Sequence, residues 1–246
     1  MDVGRLCQPL AYLLLGLVLA ARLAFGAAAA SEADTPHGDA LEKAMSERCP
    51  HAAQAIKQER QVTDRRHRAP ILQVERPMLR RELLLRRDQD QAVRGVPSSQ
   101  GWAMDPEYGK EVDADNLRRL KHIVRQDGLP TAHMVGYDGL EAAWLLVQHA
   151  DADPAFQAEM LIEVRKRVKA RELDLQLYAL TTDRVLLAQG KKQRYGTQLQ
   201  ISDQGLTPRP LEDPGHVDER RRTMGLISLA DYECWLKAFN DVRAGR

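Results

Sequence analysis

The sequence predicts a mainly α, compact multi-helix domain with one small β-hairpin, and three observations point to it. Apolar residues recur every three or four positions along most of the chain, the spacing of one helix face. Helix punctuation is frequent: Asp153 stands before Pro154, Ser228 before Leu229, and Gly190 and Gly225 close apolar seams. Only 193–211 alternates with a period of two around a turn, which predicts the hairpin.

In chain order, residues 1–30 read as an export signal. Arg5 gives a positive start, 10–21 are an unbroken apolar run, and Ala27 to Ala30 supply small residues. The run is about a dozen residues, short of the roughly 20 that cross a bilayer. No stable membrane span is therefore expected after cleavage, and the mature chain is expected to be periplasmic or secreted. An uncleaved N-terminal anchor is the alternative. Residues 31–76 are polar and Ala-rich, a tether or peripheral arm with a helix over 40–60. Cys7 leaves with the signal, so Cys49 and Cys234 remain. Two unpaired thiols are the favoured reading, with Cys49 in a loose segment and Cys234 inside a helix. A disulfide, open only to an oxidising compartment, is the other.

A single globular domain is expected over 77–246. Its first helix, 78–94, carries Leu79, Leu83 and Leu84, and Gly95-Val96-Pro97 ends it. The arginines at 65, 66, 68, 80, 81, 86 and 87 are interleaved with acids, which makes them a solvated face. The whole chain has 36 Lys and Arg against 35 Asp and Glu. That balance argues against nucleic acid as a partner. Residues 98–112 read as a loop with Trp102 and Tyr108. A helix over 113–126 follows, with Leu117, Leu120 and Val124 in register, and Gly128-Leu129-Pro130 breaks it.

Residues 142–147 are apolar on every side, so the helix over 140–149 is buried. Asp153 caps the next helix, whose Phe156, Met160, Val164 and Val168 recur every four residues. Asp174 caps another, with the seam Leu177, Leu180, Arg184 and Leu187. Alternation from Gln193 to Ile201, the turn Asp203-Gln204-Gly205 and a return over 206–211 make the hairpin, with Pro208 and Pro210 confining the return to an edge. Residues 217–224 are helical. Ser228 caps the last helix, which carries Leu229, Tyr232, Leu236 and Phe239.

Polar groups stand where this pattern requires core. Gln148 and His149 emerge from the buried helix, and His149 reads either as a general base with Asp151 or Asp153 beside it, or as a structural histidine. Arg184, on an apolar seam, needs a buried carboxylate or an anionic ligand; adjacent Asp183 points about 100° away on the helix. In the hairpin, Gln193, Tyr195 and Thr197 share a face and Gln198 takes the other, while Gly196 permits close approach. One His without a second His or Cys at ligand spacing gives no metal site, and no cofactor fingerprint is present.

Several motifs occur in order: Asp90-Gln91-x-x-Arg94, Asp113-x-x-Asn116, Gln148-His149-Ala150-Asp151, Leu180-Thr181-Thr182-Asp183-Arg184-Val185, Gln193-x-Tyr195-Gly196-Thr197-Gln198, Glu212-Asp213-Pro214 and Val217-Asp218-x-Arg220-Arg221. Together they resemble a bacterial family known only as a domain of unknown function and often found in exported proteins. The likeness runs from about Leu79 to Tyr232. The family's usual Gly-Trp-Pro is Gly128-Leu129-Pro130 here. The resemblance implies a shared helical domain and a shared polar cluster, and no activity.

The functional expectation is a cleft for a small polar or anionic ligand, such as a peptide or cell-wall-like fragment. His149, Arg184 and the stretch Gln193, Tyr195, Thr197 and Gln198 would line it, with Asp90, Gln91, Arg94 and Gln148 contributing. The alternatives are a structural or protein-interaction module built on a satisfied polar network, and a hydrolase with His149 as base and Asp183 and Arg184 as further catalytic candidates.

Overall fold

The computed structural model describes residues 43–44, 46–67, 73–94, 106–202 and 205–243. The expected signal over 1–30, Gly95-Val96-Pro97, Trp102 and the Asp203-Gln204 corner lie outside them. The elements in order are α1 (Pro50–His67), α2 (Pro77–Ala92), α3 (Pro106–Asp127), α4 (Ala132–Gln148), α5 (Pro154–Lys169), α6 (Leu175–Ala188), β1 (Leu199–Ser202), β2 (Gly205–Pro208), a 3-10 turn (Pro214–His216), α7 (Val217–Thr223) and α8 (Leu229–Arg243). The protein is mainly α with one antiparallel hairpin, as the periodicity predicts.

Helix α4 is the axis of the larger core. Every residue from Gly139 to Gln148 is buried, and α2, α3, α5 and α6 surround it. Leu83 on α2, Leu120 and Ile123 on α3, Met160 and Val164 on α5, and Leu177 on α6 meet it. Each such side chain stabilises the fold by about 1.5–3 kcal/mol. Trp144, at the centre, donates Nε1 to Leu177 O at 3.2 Å and to Thr181 Oγ1 at 3.0 Å, so its polar edge is satisfied inside the core. Thr131 caps α4 through Met134 N at 3.1 Å. The helix breaks at Gly136, where φ is 76°; a Cβ there would stand 2.7 Å from Asp138 Oδ1.

A second core joins the two ends of the described chain. Cys49 and Ala52 pack with Leu199 of the hairpin and with Tyr232, Trp235, Leu236 and Ala238 of α8. Cys49 and Cys234 are disulfide-bonded, which corrects the expectation of two free thiols. Cys49 is not in a loose segment: it is 3% exposed at the start of α1, and α1 lies along α8.

Other expectations shift in register. The helix expected over 40–60 is present in its described residues, 43–44 and 46–48 being helical too; the chain leaves the helix at Cys49, and α1 then carries on to His67. Helix α3 begins at Pro106, so Tyr108 and Val112 are helical and not loop; Pro106 and Glu107 suit a first turn. Asp153 caps α5 through Phe156 N at 3.0 Å. Asp174 holds the N-cap position of α6 without a capping bond. Strand β1 begins only at Leu199, and the alternation over 193–198 belongs to a loop. Among the described residues, no helix is long and apolar enough to cross a membrane.

Candidate functional site

The loop over 193–198 is held from both sides of its backbone. The buried Asp183 carboxylate of α6 accepts from Arg194 N at 2.7 Å, Tyr195 N at 3.0 Å, Thr197 N at 2.9 Å and Thr197 Oγ1 at 2.9 Å. Burial pushes this carboxyl up from its ordinary value, but every group aimed at it donates, so the carboxylate is the form they fit. From α7, buried Arg221 donates Nη1 to Tyr195 O at 2.7 Å and to Gly196 O at 3.2 Å, and Nε to Ile227 O at 2.6 Å. Its guanidinium lies 4.9 Å from the centre of the Tyr232 ring, whose hydroxyl donates to Thr197 O at 3.0 Å. Gln193 closes the loop, with Nε2 on Gln198 O at 3.0 Å and Oε1 accepting from Gln198 N at 2.9 Å. A buried anion holds the N–H groups, and a buried cation holds the carbonyls.

A separate buried chain links α2, α3 and α4. Asp90, 0% exposed, accepts from Arg94 Nη1 at 2.9 Å, Gln91 Nε2 at 2.8 Å and His149 Nδ1 at 2.8 Å. The partner of His149 is thus Asp90 and not Asp151 or Asp153, as the sequence suggested. Asp90 lies 59 positions earlier, where local spacing carries no sign of it. Arg94 continues to Asp113 Oδ1 at 2.6 Å. Burial pushes Asp90 up, but contact with His149 and Arg94 outweighs it and holds the carboxyl below its ordinary value. Burial, reinforced by Arg94, lowers His149, so the imidazole is neutral and donates Nδ1–H to Asp90.

Arg184 projects from α6 to Asp151, with Nη1 at 2.8 and 2.7 Å from its two oxygens. Burial opposes ionisation of Asp151, and Arg184 overcomes it, so the carboxyl titrates below its usual range. Gln157 of α5 steadies the same corner by donating to Val147 O at 3.0 Å and Gln148 O at 3.1 Å, the last carbonyls of α4.

Beside this pair opens a cleft of about 500 Å³ between the start of α5, the end of α6 and the hairpin. Its polar lining is Asp151, Gln157, Arg184, Lys191, Lys192, Gln198, Gln200 and Arg209; Pro154, Leu187, Ala188, Gly190 and Pro210 complete the wall. Of the residues expected at the site, Arg184 and Gln198 line this cleft. Asp90, Gln91, Arg94, Gln148 and His149 are not among its lining residues, nor are Asp183, Gln193, Tyr195 and Thr197. The first group is buried, with Gln91, Arg94 and His149 gathered on Asp90, and the second builds the loop lock.

Sequence reasoning passed over Gln157, Lys191, Lys192, Gln200 and Arg209 as site residues. The one available signal was the basic pair that directly follows Gly190 at a helix end. It also took Arg221 as part of a motif without assigning it a partner. Among the described residues, no group of three or more His, Cys, Asp or Glu could hold a metal ion.

Comparison with curated proteins found no match, and neither did comparison with solved structures. The family models did return one: residues 77–243, from the first turn of α2 to the last of α8, match that of a family of unknown function (DUF6624), and the chain belongs to this family.

Proposed function

We propose that the cleft between α5, α6 and the hairpin binds a small anionic ligand bearing amide or hydroxyl groups, as a peptide or cell-wall fragment does. One observation carries this reading: Lys191 and Lys192 line the cleft beside the Arg184–Asp151 pair, and Asp151 is the one carboxylate among the described lining residues. Asp151 offsets Arg184, so Lys191 and Lys192 tilt the local potential toward an anion. The Gln198 and Gln200 amides suit a ligand with both donors and acceptors. Leu187, Ala188 and the two prolines give its carbon skeleton an apolar surface. The Cys49–Cys234 bond supports the companion proposal that the chain is exported, because such bonds persist in oxidising compartments.

The test uses the full chain, with D-alanyl-D-alanine, its C-terminal amide and inorganic phosphate as probes in calorimetric titrations. The free acid is expected to bind at least about tenfold more tightly than the amide, a difference of ~1.4 kcal/mol. Lys191→Glu and Lys192→Glu should each weaken the acid while leaving the unliganded melting temperature in place. Equal affinity for acid and amide would sink the reading, as would undiminished binding of every probe in both charge-reversal variants.

A further inference from the structure

The Asp90 carboxylate is held by two side chains that each keep one buried polar atom without a partner among the described residues. Gln91 gives Nε2 to Asp90 Oδ2 at 2.8 Å, and its Oε1 is left over. His149 gives Nδ1 to the same carboxylate at 2.8 Å, and its Nε2 is left over. Each residue is 5% exposed, so neither atom reaches bulk solvent. What they already do fixes their polarity. A carboxylate only accepts, so Gln91 turns its amide nitrogen to Asp90 and its oxygen away. By the same rule His149 spends its ring proton at Nδ1 and keeps a lone pair at Nε2.

Both remaining atoms are therefore acceptors, carried by two side chains that share one carboxylate. Native interiors seldom leave such atoms unmet, and a small molecule with two polar hydrogens is what satisfies two acceptors. A second carboxylate or a phosphate does not fit, because it would bring only further acceptors beside Asp90.

We propose that Asp90, Gln91 and His149 form a buried site, separate from the cleft, for one hydroxyl donor, a water molecule that donates to His149 Nε2 and to Gln91 Oε1. Asp90 fixes the imidazole tautomer and Gln91 orients the guest. His149 Nε2 is the proton acceptor. Burial and the Arg94 guanidinium keep that ring uncharged, which is the state with a lone pair to offer. The charged groups around it are Asp90 on α2, Arg94 in the turn just past that helix, Asp151 in the turn after α4, and Arg184 on α6. A water whose hydrogen points at a carboxylate-anchored imidazole is the starting arrangement for general-base chemistry. Activation of water needs no Ser or Cys nucleophile, and the sequence offers none in a recognisable setting. The site stands or falls independently of anion binding in the cleft.

The experiment is nitrogen-15 NMR on the histidine-labelled full chain at pH 7.5. Long-range proton–nitrogen spectra should show His149 with hydrogen on Nδ1 and none on Nε2. A cross-peak between water and the His149 Hε1 proton should carry the sign of a long-lived bound molecule. A ring protonated at Nε2 would overturn the site, because that nitrogen would then be a donor. A correct tautomer with no long-lived water at the ring overturns it equally. In Gln91→Leu, which leaves Asp90 and His149 in place, the water contact should weaken several-fold. An unchanged contact in a folded Gln91→Leu chain would remove the second acceptor and with it the proposed geometry. The two wild-type readouts decide the matter even where a variant does not fold.

Discussion

Asp183 and Arg184 are neighbours on α6 and hold different parts of the protein, because successive helical side chains point about 100° apart. Arg184 turns to Asp151 at the cleft, and Asp183 turns to the loop backbone. The sequence displays the first as an anomaly, since a guanidinium on an apolar seam breaks the pattern. It hides the role of the second: the partners of Asp183 are main-chain N–H groups 11 to 14 positions later, and no side-chain pattern encodes those. The loop lock predicts that Asp183→Asn is the costlier change for stability. An amide offers one acceptor oxygen and turns its NH₂ toward groups that donate, and it takes a buried negative charge away from the neighbourhood of Arg221. A loss of about 2–4 kcal/mol is expected in urea unfolding. A change under about 0.5 kcal/mol, the range of ordinary surface substitutions, would mean that the carboxylate does not organise the loop.

Among the elements, those with unbroken helical periodicity were the legible ones. The apolar run of α4, the Asp153-Pro154 start of α5 and the Ser228 cap of α8 stand where the sequence puts them. The stretch over 193–198 misled, because alternating polar and ring residues imitate a strand while their backbone groups go to Asp183 and Arg221. Gly196 shows how tightly that loop is set, with φ at 66° and the place of a Cβ only 3.1 Å from Leu229 Cδ1 and 3.2 Å from Leu211 Cδ2. Gly196→Ala should cost about 1–2 kcal/mol from the left-handed backbone alone, before any shift of the two leucines. A substitution neutral in thermal unfolding would refute the tight loop. Helix α1 was foreseen but its role was not: its apolar content is low, so it read as a loose arm, and its anchor is the bond between Cys49 and Cys234. That bond spans 185 positions, so on chain-entropy grounds Cys234→Ser should destabilise by up to about 5 kcal/mol. Equal chemical stability of the oxidised and reduced chains would show that α1 and α8 do not need it.

At the scale of the whole molecule, the buried charges tie helices that hydrophobic contact alone would leave free to slide. Asp113, Arg94, Asp90 and His149 join α3, α2 and the end of α4, while Asp151 and Arg184 join the next turn to α6. This arrangement makes stability depend on pH in a direction that can be worked out. Burial and Arg94 lower the His149 pKa in the folded state from its ordinary value of 6.5. Below pH 6.5 the unfolded chain takes up a proton that the folded chain refuses. The His149 contribution is therefore fully present above that pH and drains away as pH falls, at up to about 1.4 kcal/mol per pH unit. Asp90 and Asp151 are also held low, but above about pH 5 they are ionised in both states, so their losses come only at more acid pH. Asp183 works in the opposite sense. Its carboxyl is pushed up by burial, so the folded chain takes that proton first and gains relative stability as pH falls through its folded pKa. Comparing the wild type with His149→Gln isolates the histidine from both. The wild-type urea midpoint should drop between about pH 7.5 and 5.5, and the variant, less stable at the upper end, should show a flatter profile over the same window. Parallel profiles would mean that the imidazole meets a similar environment folded and unfolded, which its burial against Asp90 and Arg94 does not allow.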